Sequence, residues 1–315
     1  MSKRSPHLAM GEGGEFDAIR RLLAIWGPEA VGIGDDAAVL DMPAAERLVV
    51  STDASVEHVH FRREWLSAEE IGARATAAAL SDLAAMAATP RGLLLALGLP
   101  DRWRGEVDAL ARGVGRVAAA AKCAIVGGNI TKAGELSLTI TVLGSARNPI
   151  TRDGALLGDD IYVTGSLGGP GVALSALLAG NAPEAEHRAR FAAPVPRLRE
   201  GGWLAAHGAH AAIDISDGLL GDAAHLAVAS GVSITLDECA IPRMDGVSMS
   251  DALASGEEYE LLVAMPARAT VDCAEFERDF GIPLTWIGTA TAAGSPHLRF
   301  LSGLTGVAGG HDHLR

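Results

Sequence analysis

Residues 123–142 read CAIVGGNITKAGELSLTITV, and this stretch decides the fold class. Leu136, Leu138, Ile140 and Val142 alternate with Ser137, Thr139 and Thr141, the period-two pattern of a strand buried on one face. Cys123–Val126 is a compact apolar run that reads as another strand, ended by Gly127 and Gly128. Upstream, Trp103–Ala121 has helical spacing, and Gly92–Leu99 reads as a buried strand stopped by Pro100. Strands alternate with helices, so the chain is of the α/β class (α+β).

The same alternation runs through the rest of the chain. Phe16, Ile19, Leu22, Leu23 and Ile25 recur at helical spacing between Gly14 and Trp26. Gly32–Leu40 is a turn opening into an extended stretch, and Leu48–Val50 is an apolar strand running into Ser51, Thr52 and Asp53. Ser67 and Glu70 have capping-box spacing ahead of an Ala-rich helix predicted over Ala68–Ala88. Turn residues crowd Arg147–Gly158, which sets a predicted domain boundary near Asn148, with domains at 14–148 and 149–315. In the second domain strands are expected at Asp160–Thr164, Ala211–Ile215, Val232–Leu236 and Glu258–Met265, with helices after Pro170 and Gly218.

Composition excludes several function classes. Basic side chains number 26 against 39 acidic ones, a net charge of −13, which is ill suited to a nucleic-acid backbone. The three cysteines are far apart, with neither zinc spacing nor a disulfide framework. No uncharged apolar run approaches the roughly 20 residues of a membrane span. Met1–Met10 carries basic residues with no apolar segment behind them, so no signal peptide is expected and the cytoplasm is the expected compartment.

The chemistry is signalled by where aspartates fall. Asp35 and Asp36 follow a Gly-Ile-Gly turn, Asp53 ends an apolar run, Asp82 sits on the Ala-rich helix, and Asp214 and Asp217 flank Ile215-Ser216. A single such aspartate reads as an N-cap or turn residue. Several in apolar context each need a cation or donors, since burying a carboxylate unpaired costs on the order of several kcal/mol. Oxygen donors suit magnesium. Glycines at 127–128 and at 165, 168 and 169 let backbone amides approach a phosphate, or simply make tight turns. No Gly-x-x-x-x-Gly-Lys-Ser/Thr segment is present, which excludes a P-loop. Gly32-Ile33-Gly34 imitates a dinucleotide fingerprint but would turn two carboxylates on the pyrophosphate. Nothing is arranged for a covalent nucleophile.

Nine segments then occur in order: GEFDAIRRL, GIGDDAAVL, VVSTDASVEHVHF, ALSDLAAMAATP, IVGGNIT, RDGALLGDDIYVTGSLGG, AAPVPRL, AAIDISDGLLGDAAHLA and SGEEYELL. Together they resemble the thiamine-monophosphate kinases, in the superfamily of aminoimidazole ribonucleotide synthetase and selenophosphate synthetase. The resemblance runs from about Gly14 to Gly288. It implies an N-terminal domain that pairs with its twin in a homodimer and a C-terminal α/β domain, with ATP and several Mg²⁺ ions in a cleft. It implies direct transfer of the γ-phosphoryl group of ATP to thiamine monophosphate. The acceptor is already an anionic phosphate, so no single general base is expected; the difficulty is crowded negative charge.

Carried over segment by segment, the resemblance makes Asp36, Ser51, Thr52, Asp53, Asp82, Asn129, Asp214 and Asp217 metal ligands. It puts Gly128, Asn129, Arg152 and Ser216 at ATP, and His60, Glu257 and His311 at the acceptor. Three departures stand out. Asn129 occupies a position commonly Asp, keeping a carbonyl oxygen but losing a charge. Glu258 replaces Asp in the SGEEYEL segment, and near the C-terminus, where the family places an aromatic that stacks on the acceptor, the segment GGHDHL offers His311, which stacks less well. Two alternatives remain open on the residues: another ATP-dependent enzyme of the superfamily with a different acceptor, and a nucleotide-binding regulatory protein without turnover.

Overall fold

The computed structural model describes His7 and residues 14–34, 36–267 and 271–302. It divides into two compact units after Asn148, with Ala84–Ala88 counted to the second.

The first unit contains α1 (Gly14–Trp26), β1 (Arg47–Val56), α2 (Ala68–Ala85), β2 (Thr89–Leu99), α3 (Val107–Ala120), β3 (Ile125–Lys132) and β4 (Ser137–Ala146). Its four strands lie in the order β1-β4-β2-β3, with β4 antiparallel to both β1 and β2, and β3 parallel to β2. The alternation read from the sequence holds in β4: Leu138, Ile140 and Val142 are fully buried, and Leu93, Leu95 and Leu97 of β2 are buried with them. The capping box also forms, with the Ser67 amide donating to Glu70 Oε2 at 2.8 Å and the Glu70 amide to Ser67 Oγ at 3.3 Å. α2 and α3 meet at glycines. A Cβ on Gly72 would lie 2.2 Å from the Leu110 carbonyl oxygen, and one on Gly113 2.0 Å from that of Glu69.

The strand beginning at Leu48 runs on to Val56, so Ser51, Thr52 and Asp53 are interior to β1 rather than at its end. The Ala-rich helix stops at Ala85 and Ala87 turns left-handed at φ 50°, ahead of Pro90. The glycine turn expected after Val126 is likewise absent: β3 runs straight through Gly127, Gly128 and Asn129. A Cβ at Gly128 would sit 2.0 Å from Leu95 O on the paired strand, so the glycine serves a close backbone approach.

The second unit contains β5 (Asp160–Thr164), α4 (Gly169–Leu178), α5 (Ala185–Ala192), α6 (Leu198–Ala206), β6 (Ala211–Asp214), α7 (Leu219–Ser230), β7 (Ser233–Leu236), α8 (Met249–Ala254), β8 (Leu261–Met265), α9 (Cys273–Phe280), β9 (Leu284–Thr291) and β10 (Leu298–Phe300). The sheet order is β10-β7-β9-β5-β8-β6, antiparallel throughout except for the β10–β7 pair. Both faces are covered. Ile213, Leu219, Leu226, Ile234 and Leu262 pack in one cluster, while Ala212, Leu261, Val263, Leu204 and Phe276 pack in another. Alternate residues of β6 and β8 feed the two clusters, which explains the unbroken apolar run of β8.

β8 begins at Leu261, three residues later than the sequence pattern predicts. Glu257 and Tyr259 hold left-handed backbone at φ 58° and 53°, which no strand can contain. Tertiary hydrogen bonds impose this shape, as described next. Among the described residues no helix is long and apolar enough to cross a membrane.

Candidate active site

In the first unit the predicted residues fall on two faces of one sheet. Thr52 is paired directly with Thr141 on β4, and their hydroxyl oxygens are 3.0 Å apart. Thr141 and Thr139 line a cavity of about 580 Å³ together with Gly32–Gly34, Asp36, Leu94, Ala96, Gly128 and Asn129. This face therefore brings together Asp36, Gly128 and Asn129, and Thr52 adjoins the lining residue Thr141. Side chains alternate along β1, so Ser51 and Asp53 point to the opposite face. There the Ser51 hydroxyl donates to Asp82 Oδ2 on α2.

His60 lies in the turn after β1. Its Nδ1 accepts from the Val56 amide at 3.1 Å, which fixes the ring proton on Nε2, and its carbonyl accepts from Arg74 at 3.1 Å. Nearby, Glu57, His58 and Glu135 bring their ligand atoms within 4.8 Å of one another. This trio reads as an ion-pair cluster, since Arg102 donates to both Glu57 and Glu135. Glu57 is buried, which raises its carboxyl pKa, yet the Leu136 amide, Trp103 and Arg102 hold it below the usual range.

In the second unit Asp214 is the buried last residue of β6, and Ser216 and Asp217 form the turn into α7. Three backbone hydrogen bonds and one carboxylate fix this turn. The Ile215 amide donates to Glu260 O at 2.8 Å, and its carbonyl accepts from the Tyr259 amide at 2.9 Å. The Ser216 carbonyl accepts from the Glu257 amide at 2.7 Å, which places Glu257 beside the turn. Asp222 Oδ2 accepts the amides of Ser216 and Asp217 at 3.0 and 3.1 Å. Burial, together with the charges of Asp214 and Asp217, pushes the Asp222 carboxyl up to about 7. Arg152 is exposed, and its carbonyl is tied to Ser230 Oγ at 2.7 Å. His311 lies outside the described residues.

The glycines at 165, 168 and 169 serve packing. The Gly168 amide donates to Glu258 Oε1 at 2.5 Å, and a Cβ on Gly169 would lie 2.3 Å from Met244 Sδ. Asp222 is the residue that sequence reasoning passed over. Its signal was present as an acidic residue in the first turn of the helix after the DISDG segment. Burial also drives the Cys123 thiol up to about 12, which leaves it unreactive.

The family described as AIR synthase related protein, N-terminal domain, matches residues 34–146, and its C-terminal counterpart matches residues 157–300. A curated relative named thiamine-monophosphate kinase, from Haemophilus influenzae, is 32% identical over 293 residues, spanning 87% of this chain and 88% of its own. The chain belongs to the thiamine-monophosphate kinase family. Within that family, a crystal structure from Stenotrophomonas maltophilia aligns with a TM-score of 0.81 at 34% identity, covering 91% of this chain and 96% of its own. AaThiL complexed with AMPPCP and TMP aligns with a TM-score of 0.76 at 28% identity, covering 97% and 99%.

The donor atoms of Asp36, Ser51, Thr52, Asp53, Asp82, Asn129, Asp214 and Asp217 are all oxygens from carboxylate, hydroxyl or amide. That donor set fits Mg²⁺ and offers no thiolate or imidazole for a softer metal.

Proposed function

We propose that the chain transfers the γ-phosphoryl group of ATP to the phosphate of thiamine monophosphate, giving thiamine diphosphate and ADP. One observation carries this reading: over 97% of its length the chain follows the fold of AaThiL, a protein solved with AMPPCP and TMP. In the reaction an acceptor phosphate oxygen bonds to the γ-phosphorus as the bond to the β,γ-bridging oxygen breaks. That acceptor oxygen is already anionic, so the protein's task is alignment and charge compensation.

In this reading Asp36, Ser51, Thr52, Asp53, Asp82 and Asn129 of the first unit, and Asp214 and Asp217 of the second, hold Mg²⁺. The ions supply positive charge to the crowded phosphate oxygens. Gly128, Asn129, Arg152 and Ser216 contact ATP, while His60 and Glu257 contact the acceptor. Asn129 supplies a neutral oxygen where its neighbours supply charge. The reading includes a cytoplasmic homodimer.

Purified protein incubated with ATP, Mg²⁺ and thiamine monophosphate should yield thiamine diphosphate by chromatography. ATP binding without product under any divalent cation would leave the regulatory alternative instead. Asp53→Asn and Asp82→Asn should each lower turnover at least about 100-fold with an unchanged circular dichroism spectrum. Retained activity in both would refute the metal assignment.

A further inference from the structure

Asp222 is 2% exposed and touches the turn between β6 and α7 from behind. A single oxygen, Oδ2, takes the amides of two successive residues, Ser216 and Asp217. The other side of the turn is held by the amides of Glu257 and Tyr259 on the carbonyls of Ser216 and Ile215. Gly256 closes this side, since a Cβ there would lie 2.7 Å from Ser216 O. With no space for the backbone to move toward 256–259, the shape of the turn depends on the acceptor opposite. Ser216 and Asp217 extend from these same two peptide units, and Asp214 lies two positions before Ser216.

We propose that Asp222 is a positioning residue that holds Ser216 and Asp217 in the conformation that receives metal and nucleotide, without itself being a ligand. The inference rests on the reading of Asp214, Ser216 and Asp217 given above. An acceptor oxygen at this place is what matters, so a carboxamide should serve nearly as well as a carboxylate.

Mn²⁺ binding to the full-length protein, read by electron paramagnetic resonance with and without AMPPCP, tests this. Asp222→Ala should weaken Mn²⁺ binding at least about tenfold, the usual range for loss of a group that orients a ligand. Asp222→Asn should stay within about threefold of the natural protein, as conservative rescue of the hydrogen bonds. If the alanine variant does not fold, Asp222→Glu takes its place: its extra methylene displaces the acceptor oxygen and should weaken binding at least about threefold. Equal losses in the Asn and Ala variants would make Asp222 a charged ligand and overturn the proposal. Unchanged binding in the Ala variant, or in the Glu variant used in its place, would overturn it too. Asp217→Asn separates the two levels of inference. If it leaves Mn²⁺ binding untouched, the underlying metal assignment fails; if it weakens binding while Asp222→Ala does not, only the positioning role fails.

Discussion

Glu260 and Asp222 belong to the same unit and are equally hidden from water, at 1% and 2% exposure, yet their surroundings are opposite. Glu260 is met by Arg197 through two nitrogens at 2.8 and 2.6 Å, by Arg190 at 2.7 Å and by the Thr164 hydroxyl at 2.6 Å. Asp222 is met by two amides and faces the carboxylates of Asp214 and Asp217, whose charge adds to burial in raising its pKa. Burial alone therefore does not mark a functional acid. The sign of the neighbours does: Glu260 is a completed structural ion pair, whereas the Asp222 cluster concentrates negative charge of the kind a divalent cation relieves.

The largest effect should come from breaking the completed pair. Glu260→Gln leaves Arg197, 6% exposed, dependent on the more distant carboxylate of Glu200 at 3.7 Å and should cost about 3 kcal/mol in urea denaturation. A loss below about 1 kcal/mol would place Glu260 among weak surface pairs and dissolve the contrast.

Glu258 sharpens the comparison because it lies between the extremes. Its Oε1 accepts from Gly168 and Ser255, each at 2.5 Å, while Oε2 has no hydrogen-bond partner among the described residues and stands 3.8 Å from Arg190. Burial dominates and raises its carboxyl from 4.5 to about 7. A raised carboxyl means the folded state holds its proton more tightly than the unfolded chain. Its contribution to stability is thus fully present below about pH 4.5 and is lost as pH climbs through about 7. Glu258→Gln keeps the two accepted bonds and should gain up to about 3 kcal/mol at pH 8, with no gain at pH 4.5. Parallel stability–pH curves for the two proteins would show that Arg190 neutralises Glu258 as it does Glu260.

The smallest effect belongs to an exposed pair. Ser67→Ala removes the α2 capping box and should cost about 1 kcal/mol in thermal or urea unfolding, with kinase activity retained. A loss as large as that of Glu260→Gln would mean that burial does not set the scale of these polar contacts.

What the sequence disclosed and what it hid follow from the range of the forces involved. The alternation over 136–142 and the Ser67–Glu70 spacing are local signals, and both reappear in the structure. Gly127-Gly128 misled because glycine marks a turn and a close strand contact alike, and only the partner carbonyl of Leu95 decides between them. Glu258–Glu260 reads as strand, but amides at 257 and 259 are drawn to carbonyls at 216 and 215, about forty residues away along the chain. Among the candidate site residues, the aspartates stood out by their apolar context. Asp222 did not, because the role proposed for it consists of bonds to the backbone of other residues.

The pairing of Thr52 with Thr141 has one more implication. Among the described residues of its unit β1 is flanked by β4 alone, and its successive side chains serve opposite sides of the sheet. A one-residue slip of this outer strand would swap Ser51 and Asp53 for Thr52 while preserving every ladder bond. Deleting a single residue near Leu48 could therefore yield a well-folded protein with its oxygen donors facing the wrong way. In this region alignment between two strands, as much as the identity of any side chain, decides which oxygen donors reach which face.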